Sequence, residues 1–306
     1  MKVFKRILLY FFILLVILLA YGSLIEPRLL LDEQRVEAEL PHLPQEWEGK
    51  RVALLADFQV GMWWGNTGMV SKAVDRIIDS KADLVLIGGD FVYKPDTAVV
   101  DEAVSLVKPL ADAGIPVYAV LGNHDYSLMK KESKSRPDIA AYLESELEKA
   151  GIEVLRNESV NIAKQGKPLH VVGIGSEWAD NSDPVTALGG IGASEARIIF
   201  MHNPVAYRDL APNTAPLTLA GHTHGGQLRI PLLPSESWMD IARKREVVAE
   251  GWSSEKIDKE GNRLYVNRGI GFSLIPVRLF CRPELTIITL REANGDIRDK
   301  NPGAAG

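Results

Sequence analysis

Residues 54–61 read LLADFQVG: an apolar run stops at Asp57, and the next polar side chain is Gln59. If the run is a buried strand, Asp57 stands at its carboxyl tip, where the loops of an open α/β sheet gather around ligands. If it merely opens a turn, Asp57 is one more capping carboxylate. The surrounding chain separates the two. RVALLAD (51–57) has strand character, and TGMVSKAVDRIIDS (67–80) places Met69, Ala73, Ile77 and Ile78 at helical spacing. DLVLIGGD (83–90) is strand-like again, DEAVSLVKPLADAG (101–114) is helical and closes on glycine, and PVYAVLGN (116–123) is a third strand. PDIAAYLESELEKAG (137–151) opens a third helix with proline near its start, and IEVL (152–155) follows as a short strand. Alternation at these lengths implies parallel pairing through helical crossovers.

Beyond residue 158 the texture changes. SVNIA (159–163) and LHVVGIG (169–175) flank a turn-like KQGKP and predict a hairpin. ARIIFMHN (196–203), LTLAGHTH (217–224), RLYVNRGI (263–270) and LTIITL (285–290) predict strands with fewer helices between them. The split favours an α/β fold of two sheets packed face to face with helices outside, against the alternative of one large mixed sheet. Residues 231–261 form a polar insertion carrying Trp238 and Trp252, read as a surface excursion with a substrate lip or membrane contact as the alternatives.

The polar residues at the strand ends answer the opening question. Strand 51–57 delivers Asp57 and then Gln59, GGD delivers Asp90, and GNHD delivers Asn123, His124 and Asp125. MHN delivers His202, and GHTH delivers His222 and His224. Each cluster alone is explained by turns and caps, except GHTHGG, where two histidines two residues apart among glycines suit ligation. Five of them on one rim are not so explained, and the shared place points to a metal. Carboxylate, amide and imidazole without thiolate suit Mn, Fe or Zn rather than a closed structural zinc. Seven candidate ligands are too many for one ion and fit two, which lie about 3.5–4 Å apart in phosphoryl-transfer sites and need a bridging carboxylate. Glycines beside them (Gly88, Gly89, Gly122, Gly221) permit close backbone approach.

In this order, D-x-(usually H), GD, GNHD, H and GHTH resemble the calcineurin-like metallophosphoesterases, over about residues 50–291. GHTHGGQLRIP, VNRGIG and PVRLFCRPEL are similar to a bacterial subgroup with an N-terminal membrane segment, related to phosphodiesterases and UDP-2,3-diacylglucosamine hydrolases. The resemblance implies a two-sheet αββα sandwich and a dinuclear hydrolase of phosphoric esters, of phosphodiesterase or pyrophosphatase type. It implies a first ion held by Asp57, the residue at 59, Asp90 and His224, and a second held by Asp90, Asn123, His202 and His222. A metal-bridging hydroxide would be the nucleophile. His124 would face the phosphate, with Asp125 either orienting it or stabilising a turn. Gln59 stands where the family usually has histidine, so the first ion is expected to bind more weakly, to be a harder ion such as Mn, or to meet Gln59 only through water. Mn is the favoured ion.

The N-terminus adds a location. Lys2, Lys5 and Arg6 precede ILLYFFILLVILLAYGSLI (7–25), which carries no charge. About 20 such residues at about 1.5 Å each cross a hydrocarbon core of about 30 Å. AYG at 20–22 is a poor cleavage site, so an uncleaved single-pass anchor over 1–25 is expected rather than a signal peptide. Basic residues before the span and acidic ones after it put the remainder outside the cytoplasm. Residues 26–49, with three prolines and no sustained period, read as a linker, and 292–306 as a flexible tail.

Composition limits the partners. A formal charge of −5, from 35 basic and 40 acidic side chains, argues against a nucleic acid. Phosphorylated small molecules or lipids in the envelope fit the anchor. Cys281 is the only cysteine, so no intrachain disulfide forms. The alternative to catalysis is a metal-stabilised module that binds a phospholipid head group or a partner.

Overall fold

The computed structural model describes residues 2–163, 166–230, 233–237, 248–254 and 257–293. Its helices are α1 (Lys2–Ala20), α2 (Glu26–Leu29), α3 (Thr67–Ser80), α4 (Thr97–Asp112), α5 (Pro137–Lys149) and α6 (Pro184–Ala187). The first strands are β1 (Asp32–Leu40), β2 (Arg51–Leu55), β3 (Leu84–Ile87), β4 (Val117–Ala119), β5 (Glu153–Val154), β6 (Glu158–Asn161) and β7 (Leu169–Ile174). They are followed by β8 (Ala196–Met201), β9 (Thr218–Ala220), β10 (Arg229–Ile230), β11 (Leu233–Ser237), β12 (Gly251–Trp252), β13 (Leu264–Val266) and β14 (Glu284–Glu292).

Two six-stranded sheets carry the fold, ordered β1-β14-β2-β3-β4-β5 and β12-β13-β9-β8-β7-β6. Both are mixed. β2 to β5 are parallel, while β14 runs antiparallel to β2. In the second sheet β7, β8, β9 and β13 are parallel, with β6 and β12 antiparallel at the edges. The expected hairpin is the β6–β7 pair.

Alternation along β2 explains the layers. Val52 and Leu54 point into the core between the sheets with Leu84, Leu86, Val171, Ile198, Phe200 and Leu219. Ala53 and Leu55 point the other way, onto apolar faces of α3, α4 and α5 that include Met69, Ile77, Val107 and Leu143. A strand covered on both faces has no solvent side, hence its unbroken apolar run. A third cluster backs the second sheet, where Ile199 and Met201 meet Ala187, Ala206 and Tyr207. Truncating one such leucine to alanine costs about 2–5 kcal/mol.

The linker expected over residues 26–49 is instead part of the structure. β1 lies parallel to β14 from Asp32↔Glu284 to Leu40↔Glu292. Its sequence DEQRVEAEL hides a two-residue period under acidic side chains: Ala38 and Leu40 enter the inter-sheet core, while Glu37 and Glu39 face solvent. A charged outer row is how an edge strand avoids pairing with another chain. α1 and α2 join through a π-helical turn at Tyr21–Ile25 into one helix, Lys2–Leu29, long and apolar enough to cross a membrane. The expected tail lies outside the described residues from 294 on, and so do 231–232, 238–247 and 255–256 of the 231–261 insertion, including Trp238.

Candidate metal centre

β2, β3, β4, β8 and β9 all end on one rim, and the chain bends sharply as it leaves them. Asp57, Gln59, Asp90, His222 and His224 have φ of 57, 54, 58, 72 and 51°. Left-handed backbone costs a side-chain-bearing residue about 1–3 kcal/mol, and such strain collects where a site demands it. The close approach is visible at Gly122, where a Cβ would lie 2.1 Å from Asp90 Oδ1. Gly269, at φ 67°, has room for hydrogen only against the Asp57 side chain, 2.6 Å away.

The strand-end side chains that the sequence singles out do meet. His202 Nδ1 lies 2.8 Å from the Gly88 carbonyl, so it carries the proton and leaves a lone pair on Nε2. That nitrogen is 3.0 Å from Asn123 Oδ1, 3.0 Å from His222 Nδ1 and 3.3 Å from Asp90 Oδ2. Asn123 donates its amide N–H to the Leu128 carbonyl at 2.8 Å, which turns Oδ1 inward. Neither the Asn123 oxygen nor the Asp90 carboxylate can offer the Nε2 lone pair a proton. Acceptors converging in this way require positive charge among them, either a proton or a cation.

For the side chains by themselves the proton goes to His202. Burial opposes its charged form, but Asp90, and then Asp57, outweigh burial and push its pKa to about 9. Asp57 rises to about 7, chiefly through burial with Asp90 adding to it and His202 pulling the other way. Burial also opposes ionisation of Asp90, yet His202 and His124 overcome it and its pKa falls. Burial followed by the Arg278 charge holds His224 well below the usual histidine range, hence neutral. Neutral imidazole and ionised carboxylate are the forms that ligate metals.

Among the described residues, two groups have ligand atoms within 4.8 Å of one another: Asp90, His202 and His222, and Asp57, Asp90 and His224. Asp90 belongs to both. Its Oδ1 accepts from the His124 backbone N–H at 2.8 Å. Asp57 accepts from the His222 backbone N–H at 3.1 and 3.0 Å, and His224 Nε2 is 3.8 Å from its Oδ1. Gln59 donates from Nε2 to Asp90 Oδ2 at 2.7 Å, while its Oε1 is buried without a hydrogen-bond partner. The donor set and that unsatisfied oxygen fit divalent cations.

Two residues behave differently from their expected pairing. His124 Nδ1 bonds the Tyr93 carbonyl at 2.9 Å, and its ring stacks on Tyr93 with centroids 5.1 Å apart. The Asp125 carboxylate accepts from the backbone N–H groups of Gly122, Asp90 and Val92 at 2.8, 2.9 and 3.2 Å. Of its two proposed roles, Asp125 therefore has the geometry of the backbone clamp. Carboxylates favour backbone N–H donors wherever several converge, and here the Asp90 and Asn123 loops supply three.

Arg278 belongs to the site although it lies at no strand end. It is fully buried and donates to the carbonyls of Gly271 and Arg268, each at 2.8 Å. Its signal was a lone arginine inside the apolar PVRLFC stretch.

A family model for calcineurin-like phosphoesterases matches residues 50–226, more than half of the chain. The chain belongs to the calcineurin-like phosphoesterase family. Members use divalent metals, and the chain is a metal-dependent hydrolase of phosphoric esters. It is 33% identical over 222 residues to Phosphodiesterase YaeI of Escherichia coli strain K12, covering 72% of this chain and 75% of the relative. It is 24% identical over 277 residues, 90% of each chain, to the metallophosphoesterase YkuE of Bacillus subtilis strain 168. To the UDP-2,3-diacylglucosamine pyrophosphatase LpxG of Chlamydia muridarum it is 24% identical over 316 aligned positions, covering 88% of this chain and 91% of that one. This phosphoesterase thus has both diester- and pyrophosphate-cleaving relatives.

Proposed function

We propose that this phosphoesterase is a dinuclear enzyme of the membrane surface that cleaves a phosphodiester or pyrophosphate in an envelope or lipid-linked substrate. The observation that carries the reading is the double membership of Asp90, one carboxylate common to two ligand groups. Asp57, Gln59, Asp90 and His224 would hold one ion, and Asp90, Asn123, His202 and His222 the other. Manganese suits the oxygen-rich first group best, because Gln59 offers a neutral carbonyl where imidazole would favour a softer ion. When bound, two divalent ions supply an activated water and polarise the phosphoryl oxygens.

The side chains do the rest. Asp125 ties the Asp90 and Asn123 loops together through three backbone hydrogen bonds, fixing the spacing of the two groups. His124 has its Nδ1–H committed to the Tyr93 carbonyl, so Nε2 is the nitrogen that meets substrate, and it passes a proton to the leaving oxygen only from the doubly protonated ring. Its stacking on Tyr93 limits ring rotation. The two named activities of the relatives, phosphodiesterase and UDP-2,3-diacylglucosamine pyrophosphatase, support a P–O–P or P–O–C bond within a diester rather than a monoester.

The helix supports the membrane location. None of the residues of α1 is buried, and 19 residues at about 1.5 Å each match a hydrocarbon core of about 30 Å. Basic residues at its start support a catalytic domain outside the cytoplasm. The full chain in nanodiscs, assayed with Mn on bis(p-nitrophenyl) phosphate, is expected to turn over, and metal-loaded protein without turnover would remove the catalytic reading. Protease accessibility in sealed cells tests the side of the membrane.

A further inference from the structure

The end of the membrane helix is clamped into the catalytic domain. Gly22, Ser23, Glu26 and Pro27 are buried. The Arg278 N–H donates to the Gly22 carbonyl at 2.8 Å, and the Glu26 carboxylate accepts from the backbone N–H groups of Phe280 and Cys281. Arg28 donates to the carbonyls of Trp64 and Gly65 at 2.9 and 2.8 Å, with its guanidinium 4.5 Å from the Trp64 ring. Asn66 bonds the Pro27 carbonyl at 2.8 Å, and Lys72 bonds the Leu29 carbonyl at 2.8 Å. Helix and domain therefore move as one, and the height of the domain above a bilayer is set.

The two loops that grip the helix also carry the exposed large apolar side chains nearest to it. Loop 61–65 presents Trp63 at 64% and Trp64 at 50% exposure. Loop 271–282 presents Leu274 at 69%, Ile275 at 46% and Phe280 at 41%. A soluble surface would scatter such side chains, whereas these flank one point, the exit of an apolar helix. Tryptophan is favoured at the membrane interface because its ring is apolar and its N–H polar.

Resting on the membrane-anchor reading above, we infer that Trp63, Trp64, Leu274, Ile275 and Phe280 insert into the same leaflet as the helix exit and seat the metal centre on the lipid surface. Continuity with the helix decides the occupant in favour of lipid rather than a protein partner. The same loops reach the site. The Gly271 N–H donates to the Asp57 carbonyl at 2.6 Å, and loop 61–65 begins two residues after Gln59. His124 stacks on Tyr93, which clusters with Met62 and Phe272, and the Arg28 guanidinium lies 5.7 Å from the Phe272 ring. Contacts thus run unbroken from the catalytic rim to the helix end, and the substrate class is a phosphoester carried on a membrane lipid.

Depth-dependent quenching tests the inference. The full chain in nanodiscs, with the buried Cys281 left in place, receives a fluorophore at Trp63→Cys, Leu274→Cys, Leu15→Cys or Val185→Cys. Nitroxide lipids then read depth. Leu15 should sit in the hydrocarbon centre, and positions 63 and 274 about 5–10 Å below the headgroup boundary. Val185, an exposed apolar control on α6 beside the β6–β7 edge, should not be quenched by the nitroxide lipids. If Leu15 is deep but 63 and 274 match Val185, the anchor reading survives and the seating is overturned. If Leu15 is not deep, the anchor reading itself fails and the seating with it. Ile275→Cys serves as an independent second probe of the apolar rim. Labels shielded from aqueous iodide yet out of reach of lipid nitroxides would indicate a protein cover and overturn the lipid assignment.

Discussion

The two halves of the metal centre share Asp90 and are otherwise unlike. Around His202 the Asn123, His222 and Asp90 atoms stand 3.0–3.3 Å from one nitrogen, close enough to share one cation. Around Asp57 the histidine is 3.8 Å off, and Gln59 donates its amide nitrogen to Asp90, which leaves only its neutral Oε1 as a candidate ligand. Ligands held in place before binding lose less entropy on binding. The His202 half should therefore take its ion tightly and the Asp57 half more loosely.

The harshest test removes what the halves have in common. Asp90→Asn should strip both ions and lower turnover by at least about 10³-fold, beyond the loss expected for one preorganised electrostatic contact. Metal analysis by mass spectrometry reads the ions directly. Retention of one ion per chain would mean that the halves are independent and the shared carboxylate is not shared in use. His124→Ala should lower turnover by about 10²-fold, the scale of a general acid, while both ions remain. Loss of metal in that variant would place His124 in a half rather than above both.

Gln59→His should narrow the difference between the halves. Imidazole is a stronger donor to a borderline ion than an amide oxygen, so first-site affinity for Mn or Zn should rise by about tenfold in a calorimetric titration. The Gln59–Asp90 hydrogen bond is lost in exchange, so turnover need not rise with affinity. Unchanged first-site affinity would remove Gln59 from the coordination shell.

These contrasts were only partly legible in the sequence. Asp57, Asp90, Asn123, His202, His222 and His224 could be found because each interrupts or follows an apolar run, and a parallel sheet sends all such ends to one side. The direction of a side chain within the site could not be found. Whether Gln59 offers oxygen or nitrogen depends on the Asp90 loop, which lies 31 residues away. Asp125 sits beside His124 in the chain, but the backbone turns its carboxylate toward three N–H groups from loops that the local sequence does not reveal. β1 was missed for a different reason: as an edge strand it carries the acidic surface of a linker and only a thin apolar face. The same masking hid the clamp on the helix end, since Glu26 and Arg28 are ordinary charges until Cys281 and Trp64 are brought to them.

The effect that separates the halves most finely is their pH dependence. An ion must displace whatever proton its ligands hold, so its apparent affinity falls on the acid side of their pKa values by about tenfold per unit per proton. His202 is raised to about 9, so it is protonated below that value, and uptake in its half should weaken as pH drops from 9 to 7. Asp57 is raised only to about 7, so it is ionised above that value, and its half should begin to lose affinity only below 7. His224, held well below its ordinary range, carries no competing proton across either window. Titrations at pH 8 in two buffers of different ionisation enthalpy should thus show proton release with the tighter ion and little with the looser one. Equal release from both would mean that the proton belongs to the centre as a whole, and that the two halves differ in ligand placement but not in charge.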